Sequence, residues 1–146
     1  MSPGRVRGNF VLLRAGALRL LLPHEEVGAA EYIEGVPAAT AQPGRFEHEV
    51  LGERRAIVAL SDRLRGLENF PPGRFVLTRL HGGDAALSFA WDEVRVLIDA
   101  QLAPRPLPPA LRSLQGPVDG YVQLRGELLL CATAPRVLAY ALGAGE

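Results

Sequence analysis

Few residues of this chain could do chemistry. His24, His48 and His81 could bind a metal or carry a proton, but they lie far apart, each beside a turn or strand end, and Cys131 is near none of them. Metal sites usually draw on ligands paired at short spacing, so no metal is expected. Asp92-Glu93 directly follow Trp91 and have the composition of a glycosidase carboxylate pair. Adjacent residues at a helix start do not face each other, however. The matching Glu25-Glu26 points instead to acids placed at helix N-termini. The serines are Ser2, Ser61, Ser88 and Ser113, none within a Gly-x-Ser-x-Gly elbow. All sixteen basic residues are Arg, which excludes a Schiff-base lysine and a phosphate-loop lysine. No catalytic residue and no cofactor are expected.

The formal net charge is zero, which argues against a nucleic-acid binder, since such proteins carry a basic face. The three Tyr and five Phe fall among core-like positions rather than forming a base-stacking platform. Cys131 lies in the apolar run Leu128-Leu129-Leu130-Cys131-Ala132 and reads as a buried, inert thiol in a reducing, cytoplasmic setting. Arg5, Arg7, Arg14 and Arg19 without an acid before residue 25 imitate a targeting sequence. Arg14 and Arg19 interrupt the apolar run, though, and no stretch approaches the ~20 apolar residues of a membrane span.

These residues must be positioned by a scaffold that is written twice. Phe10-Val11-Leu12-Leu13-Arg14 returns as Phe75-Val76-Leu77-Thr78-Arg79. Each copy leads through a glycine turn and an apolar strand to Glu26-Val27 or Glu93-Val94. A proline-containing connector and a Gly-Glu element follow, Leu51-Gly52-Glu53 or Arg125-Gly126-Glu127. The pattern predicts strands over 9–14, 18–22, 31–33, 46–51, 55–60, 74–81, 85–91, 118–124 and 127–132, with a tight turn at Gly82-Gly83-Asp84. Ser61 should cap a short helix through Leu67, and Thr133 or Ala134 a final helix. At 146 residues and 48% hydrophobic, the chain can bury one core or two sharing a middle. The expected class is mainly β: one domain over 1–146 made of two small pseudo-symmetric β-barrels with a few short helices, joined near 68–73. A single sandwich is the alternative.

Two further patterns could serve recognition. Glu25, Glu26, Glu31, Glu34, Glu47, Glu49 and Glu53 are accompanied within 25–53 by one arginine, Arg45, giving either a solvated acidic face or a charge-selective docking surface. Arg105-Pro106-Leu107-Pro108-Pro109 has the form of a polyproline ligand, though a stiff connector explains it as well.

In its order of motifs the chain resembles the CheW-like domain of bacterial chemotaxis systems from about Asn9 to Leu142. The resemblance rests on Phe75 to Leu80, the Gly-Gly turn, Asp92-Glu93-Val94, the proline stretch 104–109, Gly126, Leu22-Pro23 with Val27, and Gly52 with Ile57-Val58-Ala59-Leu60. It implies paired β-barrels around a shared core and a non-catalytic adaptor. The implied partners are the regulatory domain of a CheA-type histidine kinase, another CheW-like domain, or a chemoreceptor. Related forms serve pilus-driven twitching. Where the family reads Asn-Leu-Arg-Gly, this chain has Glu49-Val50-Leu51-Gly52, with Ala56 and Ala59 at the later Pro and Asp positions. The receptor-engaging Arg is thus Leu51. Tyr32, Ile33, Leu51 and Gly52 are the expected partner-binding residues, the first three as exposed apolar groups beside charges and Gly52 as the glycine that matches the family motif. A rival small-molecule binder would need a cavity between the barrels with convergent polar groups.

Overall fold

The computed structural model describes residues 6–81, 87–114 and 116–143. In chain order it places β1 (Val6–Ala15), β2 (Leu18–Pro23), a 3-10 turn (His24–Glu26), β3 (Glu31–Tyr32), β4 (Ala38–Ala39), β5 (Arg45–Val50) and β6 (Glu53–Ala59). Then come β7 (Val76–Arg79), β8 (Leu87–Trp91), β9 (Glu93–Leu102), a 3-10 segment (Pro109–Leu114), β10 (Val118–Leu124), β11 (Glu127–Ala132) and α1 (Ala134–Gly143). The protein is mainly β, as the patterning predicts.

The strands form two sheets, ordered β10-β11-β2-β1-β9 and β3-β7-β8-β6-β5-β4. Read backwards without β4, the second order matches the first strand for strand. The β1–β2 hairpin joins β11 in parallel, and the β7–β8 hairpin joins β6 in parallel. Each sheet therefore takes its first hairpin from one copy of the repeat and its second from the other. The expectation of closed barrels is corrected: both sheets end in separate edge strands. Among the described residues, the edges of the first sheet meet only at a bridge between Arg105 and Tyr121, whose N–H and C=O groups exchange two 2.8 Å hydrogen bonds. Pro104, Pro106 and Pro108 flank Arg105 and have no N–H to extend that ladder. Gly120 permits the approach, because a Cβ there would lie 2.6 Å from the Arg105 carbonyl oxygen.

Alternation along the strands builds three apolar clusters. Leu12, Leu21, Leu102, Val122 and Leu129 fill one face of the first sheet. Ile33, Phe46, Val50, Ile57, Ala59, Leu77 and Ala90 fill one face of the second. Between the sheets lie Val11, Leu13, Leu20, Leu22, Val58, Phe89, Trp91, Val118 and Leu130, with Val137 and Leu138 of α1. Strands covered on both faces lose the polar-apolar alternation and read as continuous apolar runs. That is why Phe-Val-Leu-Leu and Leu-Ser-Phe-Ala-Trp were the most legible segments. Trp91 donates its indole N–H to Thr78 Oγ1 at 2.8 Å and stacks on Phe89 at 6.0 Å between ring centres.

Three local expectations change. Asp92-Glu93 do not start a helix; Glu93 opens β9, which pairs with β1 so that Glu93 stands opposite Arg14. Residues 61–67 form a turn rather than a helix. Ser61 Oγ accepts the N–H groups of Arg63 and Arg65, both at 3.2 Å, while Leu64 takes φ 61°, which ends any right-handed turn there. Glu26 does meet a helix N-terminus, but a distant one: its Oε1 accepts the Ala134 N–H at 2.7 Å, an acid placed against the positive end of α1. The turn expected at Gly82-Gly83-Asp84 lies outside the described residues, and the strands flanking it pair as anticipated.

Candidate docking site

The features suited to recognition sit at the equivalent edges of the two sheets. Among the described residues, β9 of the first sheet pairs with β1 on one side only. Its alternation sends Leu97 into the apolar cluster beneath and leaves Val96 and Ile98 exposed, Ile98 at 68%. In the second sheet, again among the described residues, β3 pairs with β7 on one side only. Tyr32 stands 75% exposed there, and Phe75 and Val36 are also exposed nearby in the chain and ladder. An exposed strand edge offers unpaired N–H and C=O groups to another chain. Beside β9, a recess of about 400 Å³ is bounded by Leu97, Leu124 and Leu129 with Arg95 and Arg125 on its wall.

The four expected partner-binding residues separate. Tyr32 is exposed, but Ile33 is 6% exposed and belongs to the second sheet's core. The period of two that turns Tyr32 outward turns Ile33 inward, so Ile33 is not the exposed group anticipated. Leu51 is 90% exposed at the tip of the β5–β6 hairpin. Leu51 and Gly52 have φ 53° and 78°, the signs of a type I′ turn. Three strands (β7, β8 and β6) lie between β3 and β5 in the sheet, so Tyr32 and Leu51 do not share one strand pair.

Ion pairs link these two positions. Glu31, beside Tyr32, bonds to the buried Arg55 guanidinium, which also lies 3.6 Å from Glu53, two residues past Leu51. Arg79, the repeat's arginine, lies 3.9 Å from the same Glu53. The first sheet has the corresponding group: Arg14 with Glu93 at 3.2 Å, and Glu127 with Arg19 at 3.7 Å and Arg95 at 3.9 Å. The repeat's Arg and Gly-Glu elements thus supply charged groups to the ends of both sheets.

This pairing changes the acidic stretch. Glu31 and Glu53 are held by arginines, Glu47 binds Arg54 at 2.7 Å, and Glu26 caps α1. That leaves Glu25, Glu34 and Glu49 outside these arginine pairs and the α1 cap. The acidic face is therefore much weaker than the linear count suggests. Hydrogen bonding to Glu31 raises the Arg55 pKa against the opposing effect of burial, keeping the guanidinium charged.

The other candidate groups are absorbed by the scaffold. Asp92 accepts the Gly16 N–H at 2.6 Å and binds Arg74 at 3.2 Å. Burial pushes its carboxyl up, but the Gly16 bond and the Arg74 bond and charge outweigh it, so its pKa lies below the ordinary value. Burial, with a smaller contribution from Asp119, pushes the Cys131 thiol up to about 11, which disfavours the nucleophilic thiolate. His48 Nε2 lies 2.6 Å from the Glu34 carbonyl oxygen. Among the described residues no three His, Cys, Asp or Glu converge on a metal-sized site, and no helix is long and apolar enough to cross a membrane. Arg105 is held in its bridge and Leu107 packs on the shared core, so the proline segment serves as a connector.

The turn at Leu51 yields a prediction. A left-handed conformation costs an ordinary L-residue roughly 1–2 kcal/mol, whereas Asn adopts it readily. Leu51→Asn should therefore raise the unfolding free energy by about 1 kcal/mol, read as a higher urea midpoint at unchanged slope. The equivalent hairpin tip carries Arg125-Gly126 at φ 52° and 81°, so Arg125→Asn should behave alike.

No family model matches the chain, and no curated protein matches it. Among solved structures it is similar to a scaffolding protein, TtCheW from Thermoanaerobacter tengcongensis. The TM-score is 0.62 at 13% sequence identity, covering 87% of this chain and 89% of that one. At this identity the likeness is one of fold, and it places the two interlocked sheets in a CheW-like architecture.

Proposed function

We propose that this protein is a non-catalytic, cytoplasmic adaptor of a chemotaxis-like pathway. It couples a CheA-type histidine kinase to receptors or to control of pilus-driven twitching by docking with the kinase's regulatory domain or another CheW-like domain. One observation carries the reading. The pseudo-equivalent edges β3 and β9 each expose apolar side chains, Tyr32 with Phe75 on one and Val96 with Ile98 on the other, so the molecule has two comparable ends that could each take a partner. A CheW-like fold and a set of charged groups engaged in structural pairs agree with that role. Leu51 and Gly52 belong to the same reading as the hairpin tip where the resembling family makes its receptor contact. With leucine replacing arginine, the receptor arm of the adaptor is the one expected to differ.

Calorimetric titration against the purified regulatory domain of a CheA-type kinase, and separately against a second CheW-like domain, tests the proposal. Exposed aromatic anchors are frequent hot spots worth about 2 kcal/mol or more. Tyr32→Ala and Ile98→Asp should each weaken binding at their own edge at least tenfold while leaving the melting temperature within a few degrees. No complex with either domain at concentrations of tens of micromolar, typical of weak transient contacts, would overturn the adaptor reading.

A further inference from the structure

The recess beside β9, about 400 Å³, lies over the apolar cluster of the first sheet. Its size falls within the roughly 300–1,000 Å³ of ordinary ligand sites. Leu12 and Leu129 are buried members of that cluster, and Leu97 and Leu124 pack against it. All four line the recess, so its floor is apolar.

Ladder geometry turns positive charge toward this floor. Residues directly opposite each other on neighbouring strands share a face, as do residues two apart on one strand. Arg95 stands opposite Leu12 and two residues from Leu97, so its side chain projects on the same side of the sheet as the recess that it lines. Its contacts with Glu93 at 3.4 Å and Glu127 at 3.9 Å are longer than an ordinary N–H···O hydrogen bond. Arg125, at the β10–β11 hairpin tip, also lines the recess; it is exposed and has no ion-pair partner among the described residues. Arg14 and Arg19 stand directly opposite each other, each two residues from a leucine of the same cluster, Leu12 or Leu21, and like charges so placed repel. With Arg95 and Arg125 they set four guanidiniums against two carboxylates, Glu93 and Glu127. Asp99, also on the wall, is held by Arg7 at 2.9 Å. This end of the sheet therefore favours an anion, while Glu127 on the wall disfavours a doubly charged one.

We infer that this recess binds a small amphiphile with one carboxylate, its tail on Leu12, Leu97, Leu124 and Leu129 and its head between Arg95 and Arg125. Guanidinium groups match carboxylates through paired N–H donors, and the leucine floor takes the apolar remainder. Binding needs this chain alone, so it can fail without the adaptor role failing, and the reverse.

Calorimetric titration with octanoate, with octan-1-ol as the uncharged control, tests it on the whole chain. Octanoate should bind in a one-to-one complex and raise the melting temperature, with octanol at least tenfold weaker. The double substitution Arg95→Gln with Arg125→Gln should cost octanoate at least tenfold, as expected for hydrogen bonds to a charged group, and leave octanol unchanged. Ala100 and Leu124 are half-buried residues on the wall, so Ala100→Phe and Leu124→Phe should each fill the recess and block both compounds, circular dichroism showing that the variant is folded. The inference is overturned if octanoate fails to bind or octanol binds equally well. It is overturned too if the arginine variant keeps octanoate or loses both compounds alike, or if a folded phenylalanine variant binds like the parent.

Discussion

Arg74→Met should cost about 3–5 kcal/mol of unfolding free energy, the range seen when one partner is removed from a buried ion pair. Arg74 is 3% exposed. It donates to the Leu60 carbonyl oxygen at 2.7 Å and to Asp92 at 3.2 Å, and Asp92 in turn accepts the Gly16 N–H. One guanidinium thus ties the end of β6, the β8–β9 corner and the β1–β2 turn together across both sheets. Methionine fills the volume but takes the guanidinium donor from the Leu60 carbonyl and leaves the Asp92 carboxylate, still bonded to the Gly16 N–H, without its counter-charge. Urea unfolding at neutral pH gives the loss directly; a loss under about 1 kcal/mol would show that water replaces the guanidinium without penalty.

The same pair fixes the acid response. The folded pKa of Asp92 is depressed, so its contribution is fully present above the unfolded value near 4. It is lost as the pH falls through the lower folded value. The gap in stability between parent and Arg74→Met should therefore be widest at neutral pH and narrow progressively below about pH 4. A gap that stays constant on acidification would remove Asp92 from the account.

Trp91→Ala should be of similar size, about 3–5 kcal/mol. The indole is fully buried between the sheets, stacked on Phe89 and bonded to Thr78. Trp91→Phe separates the contributions: it keeps most of the contact area, loses the bond to a hydroxyl that is itself buried, and should cost about 1–3 kcal/mol. If the two variants lose equal stability, the hydrogen bond rather than the volume dominates.

What could be read from residues alone was the two-copy strand plan, because strands covered on both faces need uninterrupted apolar runs in each copy. The exchange of hairpins between sheets was not legible, since it depends on β8 choosing β6 and β2 choosing β11, a choice made by tertiary packing. β9 was hidden by its first residue: Glu93 after Asp92 looks like a helix start, and only its place opposite Arg14 explains the acid as a cross-strand partner. The acidic stretch misled in the same way. Arg54 and Arg55 follow it closely, but Arg79 reaches Glu53 from the other copy, and no local count contains that pairing. Of the candidate site, Tyr32 and Leu51 were legible as exposed apolar groups. Ile33 was assigned to the wrong face by its neighbour's polarity.

The exchange of hairpins also governs how this chain comes into being. As it leaves the ribosome, the β1–β2 hairpin has no sheet to join, because its neighbours β9 and β11 are synthesised after the whole second sheet. Pairings of such sequence separation make folding slow, and until they form the flank of β2 is an open invitation to aggregation. Split at the connector 68–73, neither fragment could complete a sheet by itself, yet each would carry the hairpin the other lacks. Co-expressed, the two pieces should find one another and rebuild the parent, whereas either alone should be cleared by proteolysis.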